Sequence, residues 1–273
     1  MWLFATPVLA LDAYSPQKGF IEPEVFESPG MATFENPAWI GRAGDVTKLE
    51  SKQDAFGYSQ SLVGSSTTIR GVSVGVGFLG LSTSDIARTQ FASNGRGEVV
   101  GQFGQSFQVV QTTVGKTWQN WRFGGNIRRY AQQLDTAMAS GWSVDAGVVW
   151  NPDGYWLEAY TENILQTGYA WTYGRTEFLS PHLVLGGGMD LGPWTLQMGY
   201  DVAKYERFKV GWRLHPMLGL TGDLVLDSRF QFKRYGLGVC LNLDPFSVAY
   251  GLTQLSIEGL NQPQSQLGVS YRW

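Results

Sequence analysis

Alternation with a period of two runs through much of this chain. In Trp194-Thr195-Leu196-Gln197-Met198-Gly199-Tyr200-Asp201-Val202, every second residue is large and apolar, and those between are small or polar. Successive side chains of a β-strand point to opposite faces, so this pattern predicts a strand with one apolar and one polar side. The same split recurs in Gly71 to Phe78, Phe208 to Leu214, Tyr235 to Leu243, Phe246 to Leu252 and Leu267 to Trp273.

Thirteen strands can be read, near 52–62, 68–81, 104–117, 121–131, 141–151, 155–163, 178–190, 193–202, 205–214, 217–227, 231–243, 246–256 and 265–273. Tight connections fall at Asp244-Pro245, His215-Pro216, Gly192-Pro193, Pro152-Asp153-Gly154, Gln119-Asn120 and Gly64 to Thr67. Longer ones, around 83–102, 132–140, 164–177 and 257–264, alternate with them. Short turns at one end and longer loops at the other describe a membrane β-barrel, whose strand number is even in single-chain bacterial examples. The parity requires one more strand near 42–50, which predicts fourteen strands, with twelve as the alternative.

A soluble sandwich also alternates, but its polar face meets water and carries many Lys and Glu. Here the second face is mostly Gly, Ser, Thr, Asn and Gln, which suits a barrel lumen. Composition agrees. The 273 residues include 35 Gly, 11 Trp, 12 Tyr and 15 Phe with only 16% charged, a chain rich in strand formers. No run reaches the roughly 18 apolar residues of a spanning helix, whereas barrel strands need only about 9–11 residues with every second one facing lipid. The net charge of -3, with Lys and Arg scattered, argues against a nucleic-acid partner. A single cysteine, Cys240, excludes an internal disulfide and a cysteine-based zinc site.

Before the strands, Trp2 to Leu11 is apolar and resembles a secretory signal without its basic start; residues 1–13 are read as a signal remnant or an apolar terminus. Residues 14–41 contain Pro16, Pro23, Pro29 and Pro37 and no alternation, and are read as irregular structure, either a plug inside the barrel or a periplasmic tail. The barrel itself is assigned to residues 42–273.

Candidate chemistry is sparse. His182 is expected at the outer end of a strand and His215 in a periplasmic turn, so no histidine pair forms, and Gly-x-Ser-x-Gly is absent. Gly186-Gly187-Gly188 lacks the Lys-Ser/Thr of a phosphate loop and is read as a bend or a close approach to a plug. Asp145, Asp201, Lys209, Arg213 and Arg272 fall on lumen faces, where they either form internal salt bridges or line a polar passage. No enzyme, metal or cofactor is expected.

The segment Gly30-Met31-Ala32-Thr33-Phe34-Glu35-Asn36-Pro37-Ala38-Trp39-Ile40 resembles the stretch ending in Asn-Pro-Ala-Gly-Leu that precedes the first strand of FadL-type outer-membrane proteins and the related PorV/PorQ group. Asn36, Pro37 and Ala38 match, and Trp39 replaces the usual Gly. Phe123 to Tyr130 resembles the family strand in which Gly is followed by a basic residue and an aromatic, and Gly141 to Trp150 its Asp-x-Gly strand. Leu267 to Trp273 resembles its terminal strand, whose closing aromatics, here Tyr271 and Trp273, are read by the outer-membrane assembly machinery.

The resemblance covers about residue 30 onward. It implies a location in the bacterial outer membrane, with the lipid bilayer and the assembly machinery as partners. It also implies one of two roles: passive movement or binding of small hydrophobic compounds, or attachment of a secreted protein partner. In the second, loop aromatics such as Phe91, Tyr169, Trp171 and Tyr173 would be the contacts.

Overall fold

A computed structural model describes residues 36–40, 45–54, 59–91, 97–202, 205–227, 229–257 and 260–272. The reading of residues 1–13 as a leader, that of most of residues 14–41 as a plug, and Trp273 lie outside the described residues.

The chain is all-β. Seven strands come first: β1 (Val46–Asp54), β2 (Ser59–Ile69), β3 (Val72–Phe91), β4 (Gly97–Trp118), β5 (Trp121–Leu134), β6 (Ala137–Trp150) and β7 (Tyr155–Gln166). A small hairpin follows, β8 (Tyr169–Trp171) and β9 (Thr176–Glu177). Seven more complete the chain: β10 (His182–Leu191), β11 (Trp194–Asp201), β12 (Tyr205–His215), β13 (Leu218–Asp227), β14 (Phe232–Leu243), β15 (Phe246–Ile257) and β16 (Leu260–Arg272). Each long strand pairs antiparallel with its neighbour, β7 with β10, and β1 with β16, closing a fourteen-stranded barrel on which β8 and β9 are an appendage.

Closure leaves no open edge around the barrel wall, a requirement inside hydrocarbon, and alternation sorts the side chains. Leu196, Met198 and Tyr200 of β11 point outward and are exposed, while Thr195 and Asp201 are buried inside. Leu237 of β14 is 72% exposed, and similar residues girdle the barrel, an apolar outer surface that suits lipid. At one end, paired aromatics flank the turns: Trp121 with Trp150, Trp194 stacked on Trp212 at 4.9 Å, and Phe246 against Tyr271 at 4.9 Å. This is an interfacial girdle, and the turns beside it are all short, which marks the periplasmic end.

The missing strand is present as β1, but the neighbouring predictions need correction. Residues 52–62 straddle the end of β1 and the start of β2, and the turn expected at Gly64 to Thr67 lies at Arg70 and Gly71, with φ of +52° and +77°. Two left-handed residues make the tight hairpin turn whose twist matches its strands. Gly64 and Ser66 instead pair across β3 with Gly77 and Gly75. The loops expected over 83–102, 132–140 and 257–264 are also largely strand. β3 and β4 continue past their other neighbours as a tall ribbon, and β5 turns into β6 within Asp135 and Thr136.

Candidate functional site

The lumen holds three layers. Lowest is the Asn-Pro-Ala turn. Pro37–Trp39 form one 3-10 turn capped by Asn36, whose Oδ1 accepts from the Ala38 N–H at 3.0 Å. Proline at the first helical position and Asn as cap are the residue types such a start favours.

The turn seats on a row of glycines. Gly115 of β4, Gly124 of β5 and Gly147 of β6 are direct cross-strand neighbours. A β-carbon on them would lie 2.4 Å from Ile40 Cγ2, 2.2 Å from the Pro37 carbonyl oxygen and 2.0 Å from Asn36 Oδ1 respectively. Only hydrogen fits there. Glu158 of β7 then fastens the turn: its Oε2 accepts from Asn36 Nδ2 at 2.9 Å and from Trp39 Nε1 at 2.8 Å, and its Oε1 from Gln197 Nε2 at 3.3 Å. Trp39 packs edge-on to Trp156, with the Arg122 guanidinium 5.3 Å from its ring centre. The glycine run on β10 serves the same contact, because Gly188 lies beneath the Trp156 ring and Gly186 beneath the Glu158 side chain.

The middle layer is ionic. Arg128 of β5, fully buried, binds Asp145 Oδ2 through Nε at 2.8 Å, with Glu162 at 3.7 Å, and also donates to Gln111 Oε1. Asp145 faces a bulge in β7. Val144 pairs with Leu165 and Ala146 with Thr161, so residues 162–164 of β7 oppose Asp145 alone, two residues more than a regular ladder allows. Asp145 Oδ1 accepts from the Asn163 N–H at 2.9 Å, and Asn163 takes φ +57°, a conformation Asn tolerates better than most. Asp145 is thus an internal ion-pair residue. Two further cations are paired in the wall, Lys48 with Glu50 at 3.4 Å and Arg234 with Asp223 at 3.0 Å.

The upper layer is apolar. Leu62, Leu79, Leu81, Phe107, Val109 and Tyr130 face inward, and Tyr169 and Trp171 of β8 fold down onto them. Tyr169 lies 5.6 Å from Tyr130 and 6.5 Å from Phe107, ring centre to ring centre. The expectation that Tyr169 and Trp171 are loop-tip contacts is therefore corrected: they are 1% and 4% exposed, because β8 pairs with the top of β6 and turns both rings inward. Tyr173 is 57% exposed and stacks on Trp171. Phe91 ends β3 at the ribbon tip.

The other lumen residues separate by height. Asp201 lies at the outer rim, 3.8 Å from His182, while His215 ends β12 at the opposite end, so the two histidines are apart. Lys209 sits midway on β12, opposite Asp223 and Gln197 in register. Arg213 and Arg272 line one periplasmic pocket. Among the described residues no group of His, Cys, Asp and Glu is placed to hold a metal. Glu158, Arg128 and Glu162 were not singled out from the sequence, although the outward positions of Leu157, Ile127 and Arg129 imply that they face inward.

No family model matches the sequence, and no curated protein does. Solved structures do match. The Ralstonia pickettii toluene transporter TbuX superposes with a TM-score of 0.65 at 10% identity, over 90% of this chain and 94% of that one. A mutant of the monoaromatic hydrocarbon channel TodX gives 0.59 at 12% identity, with the same coverage. The chain has the fold of these outer-membrane barrels.

Proposed function

We propose that this chain lies in a bacterial outer membrane and passively conducts small hydrophobic compounds, as the names of TbuX and TodX describe for those proteins. The observation that carries the reading is the apolar layer within the lumen. Barrels that pass hydrated solutes have polar interiors, and large side chains spent on a Leu, Phe, Tyr and Trp lining favour a solute that leaves water. The Asn-Pro-Ala turn seated below that layer agrees with the FadL-type resemblance and fills part of the lumen, unlike the water-filled interior of a porin.

The test is uptake of radiolabelled toluene, at low concentration, by cells with an intact lipopolysaccharide leaflet. Expression of the barrel is expected to raise the initial rate. A rate equal to that of cells lacking it would overturn the proposal. Attachment of a secreted protein, the PorV/PorQ-like alternative, is less favoured, because two of its four aromatic anchors, Tyr169 and Trp171, are packed inside.

A further inference from the structure

The row of cross-strand neighbours that carries the apolar layer is flanked by amides. Leu81 of β3 pairs with Phe107 of β4, Phe107 with Gln132 of β5, and on the other side Leu81 pairs with Gln60 of β2. Gln60 and Gln266 of β16 flank the same residue of β1, so the row continues to β16. All five of these side chains face inward and are more than nine-tenths buried. Trp171 of β8 joins beyond Gln132, through Ala139. Buried amides normally spend their polar atoms on protein partners. Gln111, four residues further down β4, does so: it accepts from Arg128 Nε and donates to Thr113 Oγ1 at 3.0 Å. In the upper row, Oε1 of Gln60 and of Gln266, Nε2 of Gln132 and Nε1 of Trp171 are sealed from solvent and hydrogen-bond to nothing among the described residues. One step above Gln266, the cross-strand neighbours Gln264 and Thr253 each keep an oxygen in the same state.

We propose that this row selects hydrophobic solutes that carry a hydroxyl group, phenols and aromatic alcohols, over plain hydrocarbons. The inference rests on the channel reading and names its substrate class. Acceptors stand at the Gln60 and Gln266 end and donors at the Gln132 and Trp171 end, with Leu81 and Phe107 between them. A hydroxyl both donates and accepts, so it is served at either end while its ring lies against the leucine and the phenylalanine. A buried polar atom left without a partner is costly, and a solute that supplies the missing bond recovers that cost whereas toluene does not.

Initial uptake rates of p-cresol and toluene, which differ by one hydroxyl, test this in cells with an intact lipopolysaccharide leaflet, each rate taken relative to cells lacking the barrel. The parent is expected to conduct p-cresol faster than toluene at equal low concentration. Q60M/Q132M/Q266M keeps side-chain length and removes the amides, and should lower the p-cresol to toluene ratio roughly fivefold or more, the loss of about one hydrogen bond, with toluene conducted as before. Retained toluene uptake shows that the variant is folded; should the triple change fail to fold, Q266M alone should lower the ratio to a smaller degree. Q133M alters an outward-facing amide beside Gln132 and should leave the ratio unchanged. The proposal is overturned if the parent conducts p-cresol no faster than toluene, if Q133M lowers the ratio as much, or if the ratio survives loss of the inward amides, which would mean that they hold ordered water only. A folded parent that conducts toluene without favouring p-cresol strikes this inference alone, whereas one that conducts neither strikes the channel reading and this inference with it.

Discussion

Gly124 and Pro37 touch so closely that a β-carbon on Gly124 would sit 2.2 Å from the Pro37 carbonyl oxygen. That oxygen is backbone and cannot swing aside. Gly124→Ala should therefore lift the Asn36–Ile40 turn off the wall and cost about 1–3 kcal/mol, the usual penalty of overpacking. Urea unfolding of the refolded barrel measures it. Gly101→Ala, where nothing lies within 4 Å, should be close to neutral in the same assay. Equal effects of the two substitutions would remove the glycine row from the account.

Arg128 neutralises two carboxylates in a place water does not reach. Replacing it with Met leaves Asp145 and Glu162 buried together, and breaking a buried pair from one side typically costs about 3–5 kcal/mol. The triple change R128M/D145N/E162Q should recover part of that loss, since the buried cation and both of its carboxylates are neutralised together. If the triple variant is no more stable than R128M, the ionic layer is not what holds β5 to β7.

The parts of the barrel that are local in sequence are legible there. Trp194 to Asp201 shows its two faces in its own composition, and Pro193 and Pro216 mark turns because proline cannot donate to a ladder. Gly64, Ser65, Ser66 and Thr67 carry the same local marks of a turn, yet lie within β2, because small residues also serve a crowded lumen opposite Gly75 and Gly77. The site is less legible because its partners are distant. Glu158 meets Trp39 across 119 positions, and Tyr169 is buried by Phe107 and Tyr130. A glycine-flanked aromatic loop reads as surface until the barrel it folds back into is known.

Trp171 closes the upper layer against Phe107, Tyr130 and Tyr169. Trp171→Ala should lower stability by about 3–5 kcal/mol if its space does not collapse, less if β8 resettles. Removing so large an apolar surface should also change the apparent affinity for toluene in uptake, whereas Tyr173→Ser, which alters an exposed ring, should leave it unchanged. An identical toluene response in both variants would mean that solute does not travel beside β8.

Asp45, just before β1 at the periplasmic end, accepts from Thr67 Oγ1 at 2.6 Å and from the Thr68 N–H at 3.1 Å. The Thr67 hydroxyl first, and the Thr68 amide second, hold its carboxyl below the usual aspartate value. A pKa depressed in the folded state means that the unfolded chain takes up the proton first as pH falls. The contribution of Asp45 is therefore full above the ordinary value of about 3.9 and disappears as pH drops through the lower folded value. Asp45→Asn should narrow the gap between neutral and acid stability, measured as the urea midpoint across that range. Because Asp45 is half-buried at the rim and reached by water, the effect should be small and should shrink further in high salt. A parent and variant that lose stability in parallel from neutral to acid pH would show that the Asp45 clasp between β1 and β2 carries no weight in the folded barrel.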